Sequence, residues 1–164
     1  MATTTPNKID DKIYELCKEI SSSEPQYVIC KPRNWCIQNE CYSNVDRMIS
    51  LKGGKRVLGW TIWEWEGVLV EAEAHAVWER EDGKLIDVSP HDGEGQILFL
   101  RDDKIVYNGR RIKSKRKALI KSHKIEELIE LMSLTDEEGI LSAPMMIQQR
   151  LAELNYDIQN KNYT

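Results

Sequence analysis

Apolar residues recur along this chain with two different periods, and the change of period divides it. Between residues 8 and 20, Ile9, Ile13, Leu16, Cys17 and Ile20 fall at helical spacing, which predicts a first helix and makes Cys17 a core residue. Ser21-Ser22-Ser23-Glu24-Pro25 ends it, and a connecting region follows through Cys30 and Lys31-Pro32-Arg33-Asn34. A second helix is predicted to open with Asn39 as N-cap, to turn Tyr42, Val45, Met48 and Ile49 inward, and to close at Gly53-Gly54.

The period then shortens to two. Residues 56–65 (RVLGWTIWEW) and 68–80 (VLVEAEAHAVWER) are rich in aromatic and branched side chains, and only Glu66-Gly67 separates them. They read as antiparallel strands. Glu81-Asp82-Gly83 turns the chain into a third strand over 84–88, and 96–101 and 104–107 read as two short ones. Helical spacing returns with Ile125, Leu128, Ile129 and Met132, and again with Met146, Ile147, Leu151 and Leu154 after Ala143-Pro144. The first seven residues, small and polar, read as a frayed end. This order predicts an α+β domain over 1–109, with N-terminal helices packed on an antiparallel sheet. Residues 110–164 read as a basic segment and helical C-terminal extension packed on the same domain.

Composition narrows the function classes. The 164 residues carry a formal charge of −4 with a pI near 5.5, which argues against an all-over nucleic-acid binder. No run approaches the roughly 18 apolar residues of a membrane span, so no membrane partner is expected. The N-terminus shows no charged-then-apolar leader pattern. The four cysteines, Cys17, Cys30, Cys36 and Cys41, are then expected as reduced thiols in a cytoplasmic protein.

Cys41 is placed differently from Cys17. Its flanks, QNECYSNV, are polar and favour caps and water, which predicts an accessible thiol at the start of the second helix. A cysteine is nucleophilic as thiolate, and a helix N-terminus together with a neighbouring imidazole favours that form. Of the three histidines, His123 lies in a basic stretch and His91 in a loop, whereas His75 sits within the longest strand. Alternation puts Val68, Val70, Ala72, Ala74, Ala76 and Trp78 on one face, and His75 on the other with Leu69, Glu71, Glu73, Val77 and Glu79. A rigid strand is a good mount for a general base. Asp87 is the candidate to orient the imidazole, and the hairpin register decides it. A three-residue loop with Gly83 left-handed pairs Arg80 with Lys84 and sets Asp87 opposite Val77, on the His75 face. A two-residue turn at Asp82-Gly83 sends Asp87 to the other face.

Cysteine at a helix start, histidine on a later strand and a carboxylate on the next is the order of papain-like thiol enzymes, and over 39–90 the chain resembles that class. The class includes the NlpC-type and transglutaminase-like families. CYSNV, GWTIWEW, EAEAHAVW and IDVSP together also look like a bacterial group with a C-x-x-N-V, G-W-x-I-W-E, H-A-V-W and D-V-S/T-P pattern. The resemblance implies a papain-like fold and a cysteine hydrolase or acyltransferase, acting through a thioester on an amide or related acyl bond. Cys41, His75 and Asp87 would form its triad, without a cofactor. Its substrate would be a peptide, a protein or a small amide. Papain-type enzymes place a glutamine six residues before the cysteine, where this chain has Trp35. Gln38 is the candidate to donate to the oxyanion instead.

Other readings accompany this one. Cys36 and Cys41 with His75 and Asp87 could ligate zinc, but structural zinc sites use tighter cysteine pairs, so no metal is expected. Trp63 and the other tryptophans of these strands read as core or as lining of an acyl pocket, and Glu73 beside His75 would favour a neutral or basic substrate. The run Arg110, Arg111, Lys113, Lys115, Arg116 and Lys117 is either a solvated face or, in the alternative function, the docking surface of a non-catalytic binder of nucleic acid or protein.

Overall fold

The computed structural model describes residues 3–163. It is an α+β fold whose order is α1 (Asp11–Ile20), β1 (Gln26–Ile29), α2 (Cys41–Lys52), β2 (Lys55–Trp65), β3 (Leu69–Glu79), β4 (Leu85–Ile86), β5 (Gln96–Arg101), β6 (Lys115–Ala118), α3 (His123–Thr135) and α4 (Met145–Gln159). A short 3₁₀ turn at Ile140–Ser142 leads into α4. Among the described residues no helix is long and apolar enough to cross a membrane.

The six strands form one sheet in the order β1-β5-β2-β3-β4, with β6 also on β3. Its spine is the β2–β3 ladder, from Lys55 opposite Glu79 to Trp65 opposite Leu69. The outer edge of β3 is shared: β6 takes Leu69–Ala72 and β4 takes Trp78 and Glu79. After β4 the chain leaves β3, and Asp87 makes a parallel bridge to Cys30 at the end of β1. Its N–H donates to the Ile29 carbonyl at 3.0 Å, and its carbonyl accepts from the Lys31 N–H at 2.7 Å.

This curl covers both faces of the sheet. On one, Val28, Val57, Val77, Ile97 and Phe99 pack together, each worth about 1.5–3 kcal/mol of apolar burial. On the other, α1 lays Ile13, Leu16, Cys17 and Ile20 over Trp60, Ile62, Val70, Ala72, Leu98 and Leu100. Beside them α2 sets Cys41, Val45 and Met48 against Ala76, Trp78, Ile86 and Val88. α3 and α4 close the end of the β2–β3 hairpin, burying Ile125, Leu128, Leu151, Leu154 and Ile158 against Trp65, Val68 and Leu69.

Several expectations change. α1 starts at Asp11 because the Asp10 carboxylate caps it, accepting from the Ile13 N–H at 3.0 Å, so Ile9 precedes the helix. The region around Cys30 holds a strand, β1, because its backbone pairs with β5. Residues 104–107 are not a strand. The Asp102 carboxylate accepts from the Lys104 N–H and the Trp60 indole, and this turns the chain there. Part of the basic run is β6, so the segment after 110 contributes to the sheet itself. The N-terminal residues from Thr3 on are placed: Thr4 pairs with Glu64, while Met1 and Ala2 lie outside the described residues. In α4, Met146 is exposed and Ile158 takes the inward place.

Candidate active site

The hairpin after β3 has the three-residue loop. Gly83 has φ +80°, the Arg80 N–H donates to the Lys84 carbonyl at 3.0 Å, and Trp78 pairs with Ile86. That register carries Asp87 opposite Val77, one diagonal step from His75 on the same face. The carboxylate and the imidazole meet, with His75 Nε2 3.0 Å from Asp87 Oδ2. Asp87 is fully buried, and the Ser89 N–H donates to its other oxygen at 2.8 Å.

Cys41 sits at the first turn of α2. The predicted N-cap is corrected: Asn39 has φ +65° and stands outside the helix, while Glu40 occupies the cap without a side-chain bond. Asn44 braces the entry instead, accepting from the Ile37 N–H at 3.0 Å and donating to the Ile37 carbonyl at 2.8 Å. The expected accessibility is corrected too. Packing against Ala76, Trp78 and Val88 leaves Cys41 8% exposed, although it still lines a cleft. With His75 Nε2 committed to Asp87, Nδ1 is the ring nitrogen left for the thiol.

Charge in the site is set by burial and by Asp87. Burial of His75 opposes the imidazolium, yet the Asp87 charge and hydrogen bond, helped by the nearby Cys41 sulfur, hold its proton affinity well above the ordinary histidine range. Asp87 shows the mirror image. Burial would raise it, but His75 and His91 hold it well below the usual carboxylate range.

The sequence reading passed over His91. Its Nε2 lies 2.6 Å from the same Asp87 oxygen that His75 uses, so two imidazoles share one carboxylate. The available signal was its position four residues after Asp87, beyond Ser89-Pro90. Cys30 was also passed over as a neighbour of the site. Its sulfur lies 4.0 Å from Asp87 Oδ2, and burial, with Asp87 and Glu94 nearby, pushes its thiol up to about 12. Cys30, Asp87 and His91 place ligand atoms within 4.8 Å of one another, so this trio, rather than Cys36 and Cys41, is where a metal ion could be held. An ion there would compete with His75 for Asp87.

The cleft has a volume of about 550 Å³ and is lined by Cys41, His75, Gln38, Trp63, Glu73 and Ser89, among others. Gln38 donates its amide to Asp92 at 3.5 Å. The Trp63 indole donates to Glu73 at 3.0 Å, and its ring meets the His91 ring edge-on at 5.5 Å.

The basic run is largely engaged within the chain. Arg116 is buried between Glu71 at 2.6 Å and Asp136 at 2.7 Å. Lys117 pairs with Glu19, Lys113 with Glu137, and Lys115 lies over the Trp60 ring. Arg111 lines the cleft, and the Arg110 N–H donates to Asn108. Comparison of the chain with family models, with curated proteins and with solved structures found no match.

Proposed function

We propose that the protein is a cysteine-dependent hydrolase or acyltransferase acting on an amide or related acyl bond, on a papain-like arrangement of helix and sheet. The observation that carries this is a cysteine at a helix N-terminus beside a buried imidazole whose far nitrogen lies 3.0 Å from a buried carboxylate. His75 takes the Cys41 proton, the thiolate attacks the acyl carbon, and the imidazolium returns the proton to the leaving group. Water or an amine then releases the thioester, giving hydrolysis or transfer. Asp87 acts through His75 as a positioning residue. The Cys41 backbone N–H and the Gln38 amide, both from residues lining the cleft, would donate to the oxyanion. The substrate would be a peptide, a protein or a small amide, in a chemistry that needs no cofactor.

The test is the pH dependence of iodoacetamide alkylation at each cysteine, mapped by mass spectrometry, in the native protein and in His75→Ala. Fast reaction of Cys41 below pH 7 that disappears without His75 supports the pair. A Cys41 that titrates as an ordinary thiol, or stays silent in the folded protein, removes the proposal. The alternative, a binder working through residues 110–117, has less to support it, because Lys113, Lys115, Arg116 and Lys117 already have partners within the chain.

A further inference from the structure

Resting on that reading, we infer that the cleft takes a substrate bearing an ammonium or guanidinium group near the reacting acyl carbon, and that Glu73 is the residue that selects it. Five carboxylates line the cleft, and they divide by partner. Glu71 and Asp136 share Arg116 as their ion-pair partner. Glu73, Asp92 and Glu94 receive only neutral donors: the Trp63 indole, the Gln38 amide and the Thr5 N–H. None of these three has an ion-pair partner among the described residues. A carboxylate facing a cleft with no counter-ion favours a cation from outside and repels an anion.

A second observation points to a bound group in the same cleft. Ser89 lines it and is 2% exposed, yet its hydroxyl has no hydrogen-bond partner among the described residues. Buried hydroxyls are ordinarily satisfied, and a turn of this side chain toward the cleft would offer it a ligand group. Arg111 and His75 are further cationic groups of the wall, so the five carboxylates still outnumber the cations.

Glu73 is the selecting residue because of where the strand puts it. It shares the His75 face of β3 and lies two residues away, which fixes their backbone separation at about 7 Å. A cation on Glu73 therefore sits within one residue's reach of the carbonyl that Cys41 attacks. The indole of Trp63 holds the carboxylate in place.

The experiment uses the full chain and a pair of methanethiosulfonates of similar size, one with an aminoethyl tail and one with a sulfonatoethyl tail. Rates at Cys41 are read by peptide mass mapping and divided by those of a small free thiol with the same reagents. The normalised preference for the cationic reagent should be roughly 10-fold at low salt, and should shrink as salt rises. Glu73→Gln keeps an acceptor for Trp63 and should remove most of the preference, while Glu73→Asp should restore part of it. Equal normalised rates in the native protein, or a preference unchanged in Glu73→Gln, overturn the inference and leave the catalytic reading standing. A Cys41 silent to both reagents overturns the catalytic reading, and this inference with it.

Discussion

Replacing Asp87 by Asn isolates the charge on which the proposed pair depends. In the native protein Asp87 Oδ2 lies 3.0 Å from His75 Nε2, and the carboxylate is fully buried. At that separation and an effective dielectric near 20, its attraction for an imidazolium is about 5 kcal/mol. Asn keeps an acceptor oxygen in the same place, and loss of the carboxylate removes a desolvation cost, so about half of that attraction is lost in the variant. A loss of about 2–3 kcal/mol corresponds to roughly two pK units at about 1.4 kcal/mol each. His75 should therefore release its proton at lower pH. The ratio of thiolate–imidazolium to thiol–imidazole should then fall by up to roughly 100-fold, and the rate of Cys41 alkylation at neutral pH should fall with it. The assay is iodoacetamide alkylation with peptide mapping across pH 5–9. Cys17 reports on folding within the same sample: it is fully buried, with its thiol pushed by burial to about 11, and stays unreactive while the core is intact. A Cys41 profile that does not move in Asp87→Asn, with Cys17 still protected, would refute the reasoning.

The same pair predicts how stability depends on pH. His75 holds its proton more tightly folded than unfolded, so its contribution is complete below about pH 6.5 and declines as pH rises through the folded value. Asp87 is depressed in the folded protein, so its contribution is present above about pH 3.9 and is lost as pH falls through the folded value. Urea midpoints should therefore peak between about pH 4 and 6.5, and His75→Gln should flatten the alkaline decline; a variant curve parallel to the native one would contradict this. Away from the site, Arg116→Gln strands Glu71 and Asp136 in a buried setting and should cost about 3–5 kcal/mol in chemical unfolding, where a loss below about 1 kcal/mol would show the network to be dispensable.

What the sequence made legible was local. The β2–β3 hairpin follows from alternation, and the loop before β4 from Gly83, whose φ of +80° realises the left-handed position that the three-residue turn requires. With the register so fixed, Asp87 reaches His75. What escaped was tertiary. β1 is four residues with Ile29 exposed, and β6 is KRKA; neither shows a period of its own, and each is a strand because a longer neighbour supplies its pairing. The polar flanks of Cys41 suggest an open thiol, but Gln38, Asn39 and Glu40 lie in the loop before α2 and Asn44 turns back onto Ile37, whereas the thiol itself rests on Ala76 and Trp78. His75 was assigned to a polar face. That face is half interior, because the sheet curls far enough for Val77 to pack on Phe99. His91 could not be placed from the sequence, since only the bridge between Asp87 and Cys30 fixes where the following loop runs.

The position of the site follows from an interruption in pairing. On the outer edge of β3, β6 ends at Ala72 and β4 begins at Trp78, which leaves residues 73–77 without a strand partner on that side among the described residues. On the inner edge the same residues pair with β2 without a break. The segment is thus rigid along one edge and open along the other, a combination that a fully paired strand or a loop does not offer. Ala76 presents only a methyl group to α2, so the helix start comes close enough for Cys41 to lie beside the imidazole. Asp87, drawn off β3 toward Cys30, reaches His75 from that open side. Glu73 lies within the same gap and lines the same cleft. The proposed base and the proposed selecting carboxylate are therefore successive residues on one face of one strand. Their backbone separation of about 7 Å is set by strand pitch, and the Trp63 indole fixes where the Glu73 carboxylate ends, so in the proposed reading a substrate's cation and acyl carbon must match that spacing.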